Sequence, residues 1–376
     1  MRLAQRVTGL DASPTAALIP LMRDLREKGQ DVINLAIGEP AFATPAPVLT
    51  ATVQALQGGF TRYDATGGVA ALRAKLAAAF EGLGAENIVV TNGAKQALFS
   101  IFQAICDAGD EVILPVPCWV SFAAQIRLAG AEPVSVPCRS DHQLDLAAIE
   151  RVIGPRTRAI IVNSPNNPTG AVYPRQTFQA LAALAQANDL WIIADEAYRD
   201  FVYSPRKPFS AWSLSELRDR LIVVRSFSKT AAMTGFRVGY LAASGDLPRA
   251  LEGLQSHLCG NVCTFVQHGA LAASEELPWM KSWLAELDDL RRFALAQTRS
   301  LFECTEPRGA FYLFPDVRRR LAPGQGSGDF ALDLLRQTGV ATVPGEAFGA
   351  PGHLRICYAV GREKLADAFQ RLRKSL

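Results

Sequence analysis

Between about residue 85 and residue 245, short apolar runs alternate with longer stretches in which apolar residues recur at helical spacing. Runs of this length suit buried strands, and the stretches between them are long enough to form helices that cover a sheet. The alternation predicts βα units and an α/β fold with a mostly parallel sheet between helices. The predicted strands are 87–91, 111–114, 132–136, 158–162, 190–194, 221–224 and 239–242, and the predicted helices include 94–107, 119–129 and 174–188.

The two ends of the chain follow another pattern, in which short strands alternate with single helices. The predicted helices there are 16–28, 279–302 and 329–337, and the predicted strands are 32–36, 310–314, 339–343 and 353–358. This α+β pattern predicts a second, smaller domain. We expect an N-terminal arm with part of the small domain at 1–40, a large domain at 41–272 and a small C-terminal domain at 273–376.

Composition supports two domains and an ordinary globular protein. A chain of 376 residues exceeds the size at which one hydrophobic core stops growing. Hydrophobic residues make up 49% and charged residues 20%, and the formal net charge is +3. Basic residues form no long run and do not alternate with aromatics, so we expect no nucleic-acid partner.

Membrane, export and metal signals are weak. Residues 1–10 lack the apolar core of a signal peptide, and no apolar stretch reaches membrane-spanning length. We therefore expect a cytoplasmic enzyme without a membrane partner. Cys259 and Cys263 are helically spaced, and a zinc site would need two further ligands, so the spacing favours a packed helix face and no metal.

The segment 226–240 carries the most informative chemistry. Lys229 lies among small and hydroxyl residues directly after the apolar run 221–224. A free lysine amine has a pKa of about 10.4 and is a poor nucleophile until burial or cationic neighbours lower that value. Ser226, Ser228 and Arg237 suit a phosphate, and a lysine beside such groups is what pyridoxal 5′-phosphate (PLP) requires. Taken alone, the segment fits a strand end with a solvated lysine equally well.

Other polar residues come directly after neighbouring strands. In parallel sheets, ligands bind at these carboxyl ends of the strands. Gly93 opens a predicted helix whose first amides could bind a phosphate, although ordinary helices start in the same way. The turn at Asn166-Asn167 offers an amide to a ring oxygen. Asp195 could face a pyridinium nitrogen and keep the ring electron-withdrawing, or the pair Asp195-Glu196 could bind a metal or form a surface turn.

Four motifs in order resemble the fold-type I PLP enzymes of the class I/II aminotransferase family, and the resemblance covers nearly the whole chain. The motifs are Asn166-Asn167-Pro168-Thr169-Gly170, Asp195-Glu196-Ala197-Tyr198, the segment 226–240 and His353-Leu354-Arg355-Ile356. The resemblance implies the PLP-transferase fold type I, PLP as cofactor, and amino-acid and 2-oxo-acid substrates.

The same resemblance implies a role for individual residues. Lys229 would form the Schiff base with the cofactor and later shuttle a proton, and Asp195 would pair with the pyridine nitrogen. Asn167 and Tyr198 would bond the 3′ oxygen, and Trp119 would stack on the ring. The residues expected to hold the phosphate are Gly93, Ala94, Ser226, Ser228 and Arg237.

Substrate and subunit contacts follow from further matches. Arg355 would bind the substrate α-carboxylate with its planar guanidinium, and Gly38 would offer a backbone contact. Trp119 and Asn167 are expected to touch the substrate as well. Tyr63 matches a tyrosine that reaches across to the neighbouring subunit's phosphate, which implies a homodimer with shared active sites.

Within the family, the chain resembles bacterial aspartate aminotransferases of the aspartate/prephenate type. The resemblance implies that Lys95, Ser13 and Thr15 read the side-chain carboxylate of the substrate, and Lys95 also lies beside the predicted phosphate turn. Cys118 stands where relatives often have tyrosine, and Pro14 lies in the loop with the hydroxyls. An aromatic or broad-range aminotransferase therefore stays open.

The expected reaction is a ping-pong transfer from an L-amino acid, aspartate-like, to a 2-oxo acid such as 2-oxoglutarate. A PLP-dependent C–S β-lyase is an alternative, because Lys229, Asp195 and Arg355 also support elimination. A non-catalytic regulator on this fold is disfavoured by the presence of both Lys229 and Asp195.

Overall fold

The computed structural model describes residues 2–8, 14–274 and 277–376. The strands in chain order are β1 (Ile33–Asn34), β2 (Ile88–Thr91), β3 (Glu111–Val116), β4 (Glu132–Pro137), β5 (Thr157–Asn163), β6 (Trp191–Asp195), β7 (Leu221–Ser226), β8 (Gly239–Ala243), β9 (Tyr312–Leu313), β10 (Val340–Ala341), β11 (Val343–Pro344) and β12 (Leu354–Cys357).

The α-helices in chain order are α1 (Gln5–Thr8), α2 (Pro14–Glu27), α3 (Ala46–Gln57), α4 (Ala70–Ala77), α5 (Gly93–Ile105), α6 (Ser121–Leu128), α7 (Leu146–Val152), α8 (Arg175–Asn188), α9 (Phe227–Thr230), α10 (Leu247–Leu258), α11 (Thr264–Ala272), α12 (Met280–Arg299), α13 (Ser327–Thr338) and α14 (Arg362–Ser375). Short 3₁₀ helices lie at Ala85–Asn87, Ala211–Ser213, Ser215–Arg220, Arg318–Arg320 and Gly345–Phe348. Within the described ranges, no helix is long and apolar enough to cross a membrane.

A seven-stranded sheet in the order β2-β8-β7-β6-β5-β3-β4 forms the centre of the molecule. Strand β8 runs antiparallel to β2 and β7, and the other neighbours in the sheet are parallel. The predicted α/β fold with a mostly parallel sheet is therefore confirmed. All seven predicted strands form, each within a few residues of its expected limits.

The strands are apolar on both sides because helices cover both faces of the sheet. In β6, Ile192 packs in one core cluster with Leu181 of α8, whereas its neighbour Ile193 packs in another with Leu98 of α5. Alternate side chains of a strand point to opposite faces, so a continuous apolar run fills both layers. Because strands β3 to β7 run parallel, their carboxyl ends lie at one edge of this doubly covered sheet.

The N-terminal strand β1 pairs with β10 in parallel, so the beginning of the chain joins C-terminal elements. A separate antiparallel sheet has the order β11-β12-β9. The predicted strand 339–343 was too long, because the chain changes partner within it: β10 pairs with β1, and β11 pairs with β12. The division into domains at residues 40 and 272 stays a prediction.

The predicted packed helix face at Cys259 and Cys263 is wrong. Helix α10 ends at Leu258 and α11 begins at Thr264, so the two cysteines lie in the connection between them and are exposed. The two cysteines are four positions apart, as on one helix face, but Gly260 between them has φ of 69° and the helix does not continue through it.

Candidate active site

A cavity of about 570 Å³ opens at the carboxyl ends of β5, β6 and β7 and at the start of α5. Parallel strands bring their following residues to one edge, which is where ligands bind in such sheets. Most of the residues that the sequence suggested line this cavity: Gly38, Ala94, Lys95, Trp119, Asn167, Asp195, Tyr198, Ser226, Ser228, Lys229, Arg237 and Arg355.

Of the suggested residues that the structure describes in full, Gly93 and Tyr63 do not line the cavity. Gly93 lies against the guanidinium of Arg237, which does line the cavity. Tyr63 is 97% exposed and does not reach the cavity of its own chain. Ser13 lies outside the described residues, and so does the side chain of Thr15.

Lys229 lies on α9, the single helical turn that directly follows β7. The Ser226 hydroxyl caps this turn by accepting a hydrogen bond from the Ser228 amide at 3.1 Å. The Lys229 Nζ donates to the Gly38 carbonyl at 2.5 Å. Burial lowers the pKa of Lys229 to about 8, so much of the amine is neutral and nucleophilic in mildly alkaline solution.

Asp195 ends β6 as a buried carboxylate on the cavity wall. Its Oδ1 accepts a hydrogen bond from the Ala197 amide at 3.0 Å. Burial raises the pKa of Asp195 to about 7, because the charged form has lost its hydration. A cationic ligand beside this carboxylate would therefore stabilise its ionised form.

Glu196, next along the chain, points away from this chemistry. Its carboxylate accepts hydrogen bonds from Arg225 Nε at 2.9 Å, from the Ser210 hydroxyl at 2.8 Å and from the Ala211 amide at 2.8 Å. Arg225 and Glu196 form a buried ion pair whose hydrogen bonds are satisfied on both sides. This arrangement gives Glu196 a structural role, because its contacts fix the turn after Asp195.

Donors suited to an anion converge at one end of the cavity. They are the hydroxyls of Ser226 and Ser228, the guanidinium of Arg237 and the first amides of α5. Gly93 has φ of 77°, and a Cβ there would lie 2.8 Å from Arg237 Nη2. Because Gly93 has no Cβ, the Arg237 side chain can approach the start of α5.

Arg355 enters the cavity from β12 and is buried. Its Nη1 donates to Asn167 Oδ1 at 3.0 Å and its Nη2 to the Ala36 carbonyl at 2.5 Å. The guanidinium carbon lies 4.6 Å from the ring centre of Tyr312 and 5.1 Å from that of Phe348. Its Nε is buried and finds no hydrogen-bond partner among the described residues. A buried unpaired donor of this kind indicates a place for an anionic ligand.

Sequence reasoning missed several cavity residues. Asn163 ends β5 and orients two predicted neighbours: its Oδ1 accepts from the Asn167 amide at 2.8 Å and its Nδ2 donates to the Asp195 carbonyl at 3.1 Å. Its position directly after an apolar run was a usable signal. Tyr312 lies inside an apolar strand, and its sequence context gave no such signal. The other missed residues are Val120, Ser121 and Ala197.

Comparison with known proteins decides the family. The family model for aminotransferase class I and II matches residues 30–372, a range that includes all four motifs and every described residue that lines the cavity. The chain belongs to this family.

Relatives of this aminotransferase match it over its full length. It is 40% identical over 391 residues to a probable aspartate/prephenate aminotransferase of Aquifex aeolicus (strain VF5), with 100% of this chain and 98% of the relative covered. It is 37% identical over 388 residues to an aspartate aminotransferase of Geobacillus stearothermophilus, with the same coverage of 100% and 98%. The solved structure of an aspartate aminotransferase from Thermus thermophilus with maleate superposes with a TM-score of 0.95 at 36% identity, covering 100% of both chains.

The protein is therefore a PLP-dependent aminotransferase of fold type I that moves amino groups between amino acids and 2-oxo acids. The residues of the cavity fit PLP. A buried lysine amine, a buried carboxylate and an anion site with hydroxyls, a guanidinium and a helix start correspond to the aldehyde, ring nitrogen and phosphate of this cofactor.

Proposed function

We propose that this aminotransferase takes its amino group from a dicarboxylic amino acid of the aspartate type and passes it to a 2-oxo acid such as 2-oxoglutarate. The observation that carries the proposal is the presence of two separate cations, Arg355 and Lys95, on the wall of the same cavity as Lys229. A substrate with two carboxylates would have a partner for each. The relatives named as aspartate aminotransferases support the same choice.

Arg355 is the proposed partner of the α-carboxylate, which all amino-acid substrates share. It has five N–H donors, of which two are used by Asn167 and Ala36. The free Nε and the second hydrogens of the Nη atoms can bind a carboxylate at two points. The rings of Tyr312 and Phe348 hold the guanidinium in place, so little freedom is lost when the substrate binds.

Lys95 is the proposed partner of the side-chain carboxylate. Its Nζ lies 5.0 Å from the ring centre of Trp119, at the cavity wall. Burial and the nearby Arg237 lower the pKa of Lys95, so an anionic substrate group would stabilise the charged amine. Its nearness to Arg237 also keeps a role at the phosphate open. Ser13 and Thr15 stay predicted readers of the same carboxylate.

The proposed mechanism assigns proton and binding tasks to the cavity residues. When bound, PLP supplies an aldehyde and an electron-withdrawing ring. Lys229 would bind it covalently and, once released by the substrate amine, take the proton from the substrate Cα. Asp195 would hold the ring nitrogen in its protonated form. Tyr198 and Asn167 would hold the ring oxygen, and Trp119 would cover the ring face.

The remaining donors would hold the phosphate: Gly93, Ala94, Ser226, Ser228 and Arg237. Gly38 would touch the substrate through its backbone. Together these contacts would fix the substrate Cα within reach of Lys229 Nζ, which converts binding energy into orientation.

We also propose that the active unit is a homodimer in which Tyr63 serves the partner's site. Tyr63 is 97% exposed, and Phe60 beside it is 47% exposed. On α3, which precedes Tyr63 in the chain, Leu49, Val53 and Leu56 are exposed at helical spacing and form an apolar face. A second copy would cover this face. A cytoplasmic location stays a prediction.

The test is to follow the visible absorption of the PLP-loaded protein while single amino acids are added. We expect aspartate and glutamate to bleach the cofactor band and 2-oxoglutarate to restore it. Bleaching by phenylalanine or alanine alone would overturn the dicarboxylate proposal and favour an aromatic or broad-range enzyme. Pyruvate and ammonia released from a cysteine conjugate without a second oxo acid would identify a β-lyase.

A further inference from the structure

Tyr312 is a fully buried residue of β9 that touches three parts of the active site. Its hydroxyl oxygen lies 2.6 Å from that of Tyr198. Its ring lies under the Arg355 guanidinium at 4.6 Å. A Cβ on Gly38 would overlap its hydroxyl group, so the glycine backbone and the tyrosine are in direct contact.

The hydrogen bond between the two tyrosines has a direction that their surroundings decide. Each hydroxyl has one proton and can also accept. Among the described residues, the Tyr312 hydroxyl has no hydrogen-bond partner other than the Tyr198 hydroxyl. Tyr198 lines the cavity, where a bound ligand can offer an acceptor oxygen. If Tyr198 donated to Tyr312, the buried Tyr312 proton would stay unpaired.

We propose that Tyr312 is a positioning residue that donates its proton to the Tyr198 hydroxyl and thereby directs the Tyr198 proton to the oxygen acceptor in the cavity. This inference rests on the role proposed above for Tyr198 at the cofactor ring oxygen. The two hydroxyls would act in series, from Tyr312 through Tyr198 to the acceptor.

The backbone before Tyr312 holds the side chain in the required place. Ala310 adopts a left-handed conformation with φ of 52°. Its carbonyl accepts hydrogen bonds from the hydroxyls of Tyr203 at 2.6 Å and Tyr358 at 3.1 Å, and its amide donates to Phe201 at 2.9 Å. Hydrogen bonds to both the amide and the carbonyl of Ala310 leave the following residues little freedom to shift.

The hydroxyl and the ring of Tyr312 can be tested separately. Tyr312→Phe removes the donor and keeps the ring under Arg355, so we expect amino-acid KM to change by less than about twofold. We expect apo-protein to bind PLP roughly three- to tenfold more weakly, as for loss of one hydrogen bond. When the visible absorption of the PLP-loaded protein is titrated with pH, the midpoint of the change should move to higher pH. Without the Tyr312 hydroxyl, Tyr198 is a weaker donor and stabilises a negative ring oxygen less. The titratable and charged groups facing Tyr198, besides Tyr312, are Arg355, Asp195 and Cys357, which the substitution keeps.

A double-mutant cycle gives the decisive measurement. Tyr198→Phe should shift the midpoint and the PLP Kd, and Tyr312→Phe should add nothing in that background. Tyr173→Phe, which removes a buried hydroxyl outside the cavity, is the control and should match the parent. Melting of each apo-protein checks that the variants fold.

Two outcomes for the Tyr312→Phe variants would overturn the proposal by themselves. The first is a Tyr312→Phe protein with the parent's midpoint and Kd while Tyr198→Phe changes both. The second is that Tyr312→Phe changes the midpoint and the Kd by the same amount in the Tyr198→Phe protein as in the parent. If Tyr198→Phe itself moves neither quantity, the role proposed for Tyr198 is wrong, and the inference on Tyr312 falls with it; aspartate turnover by the parent tests the proposed function separately.

Discussion

Arg355 Nη1 lies 3.0 Å from Asn167 Oδ1, so strand β12 and the turn after β5 meet inside the cavity. Because the Asn167 oxygen accepts this bond, its amide NH₂ is the group left to donate. One contact thus orients both side chains: the amide towards an acceptor oxygen and the guanidinium towards an anion. The residues come from segments almost two hundred positions apart.

The first prediction concerns Arg355. Arg355→Lys keeps the charge but loses the planar fork and its stacking on Tyr312, so KM should rise roughly 10- to 100-fold for aspartate, alanine and phenylalanine alike. Steady-state kinetics with each amino acid measures this. The exposed Arg318 offers a control, and Arg318→Lys should leave all three KM values unchanged. A loss confined to one substrate class would show that Arg355 does not bind the shared α-carboxylate.

The second prediction concerns Lys229. Lys229→Ala should lower turnover by at least roughly 10²-fold while the apo-protein melts as the parent does, because only the nucleophile and proton carrier is removed. Burial lowers the pKa of Lys229 to about 8, and only the neutral amine attacks. The rate at which PLP binds covalently to parent apo-protein should therefore rise with pH through about pH 8. Lys207→Ala, at an exposed lysine, is the matched control. A flat rate between pH 7 and pH 9 would contradict this role.

The sheet and much of the site could be predicted because strand ends are readable in the sequence. Asp195 and Lys229 each follow an apolar run, and parallel pairing brings such positions to one edge. Double burial gives each strand a continuous apolar run, so periodicity located all seven strands of the main sheet.

Features that depend on distant pairing could not be predicted in the same way. The break between β10 and β11 exists because residues near 33 and near 355 pair with the two halves. Tyr312 lies in an apolar strand pattern, and only the folded chain shows that its hydroxyl meets Tyr198. The cysteines near 259 kept helical spacing across a break, which a local pattern cannot distinguish from a continuous helix.

The third prediction concerns Asp195, whose pKa burial raises to about 7. In an unfolded chain the value is about 3.9, so between these values the folded apo-protein keeps a proton that the unfolded chain has lost. Its free energy of unfolding should therefore fall as pH rises through this window. Asp195→Asn cannot ionise, so its apo-protein should gain in melting temperature relative to the parent from pH 5 to pH 8, although it should bind PLP more weakly. The exposed Asp219→Asn variant should follow the parent at every pH.

If the difference in melting temperature between Asp195→Asn and the parent does not change from pH 5 to pH 8, Asp195 is ionised in the folded apo-protein. With PLP bound, the melting temperature should lose this pH dependence, because a cationic ring nitrogen beside the Asp195 carboxylate favours its charged form.

The fourth prediction concerns Lys95. Lys95→Met keeps an apolar side chain beside Trp119 and removes the charge, so kcat/KM for aspartate should fall roughly 10- to 100-fold, as for loss of a charge-assisted hydrogen bond. Alanine has no side-chain carboxylate and should react at nearly the parent's rate, which makes it the internal control. Equal losses for both amino acids would instead place Lys95 at the phosphate or in the scaffold.

The last prediction concerns the exposed Tyr63 and the shared site. If Tyr63 of one protomer completes the site of its partner, Tyr63→Ala and Lys229→Ala dimers are each impaired for a different reason. In a mixed dimer, one of the two sites combines both defects, whereas the other has an intact tyrosine and an intact lysine. Random mixing during co-expression gives half mixed dimers, so activity should recover to about a quarter of the parent's.

Two controls sharpen this measurement. Lys229→Ala co-expressed with Asp195→Asn should recover nothing, because those two residues lie in the cavity of one chain and each mixed dimer then has two damaged sites. Light scattering on the parent checks that dimers are present at assay concentration. No recovery with Tyr63→Ala, from a sample shown to contain mixed dimers, would mean that Tyr63 does not serve the neighbouring site.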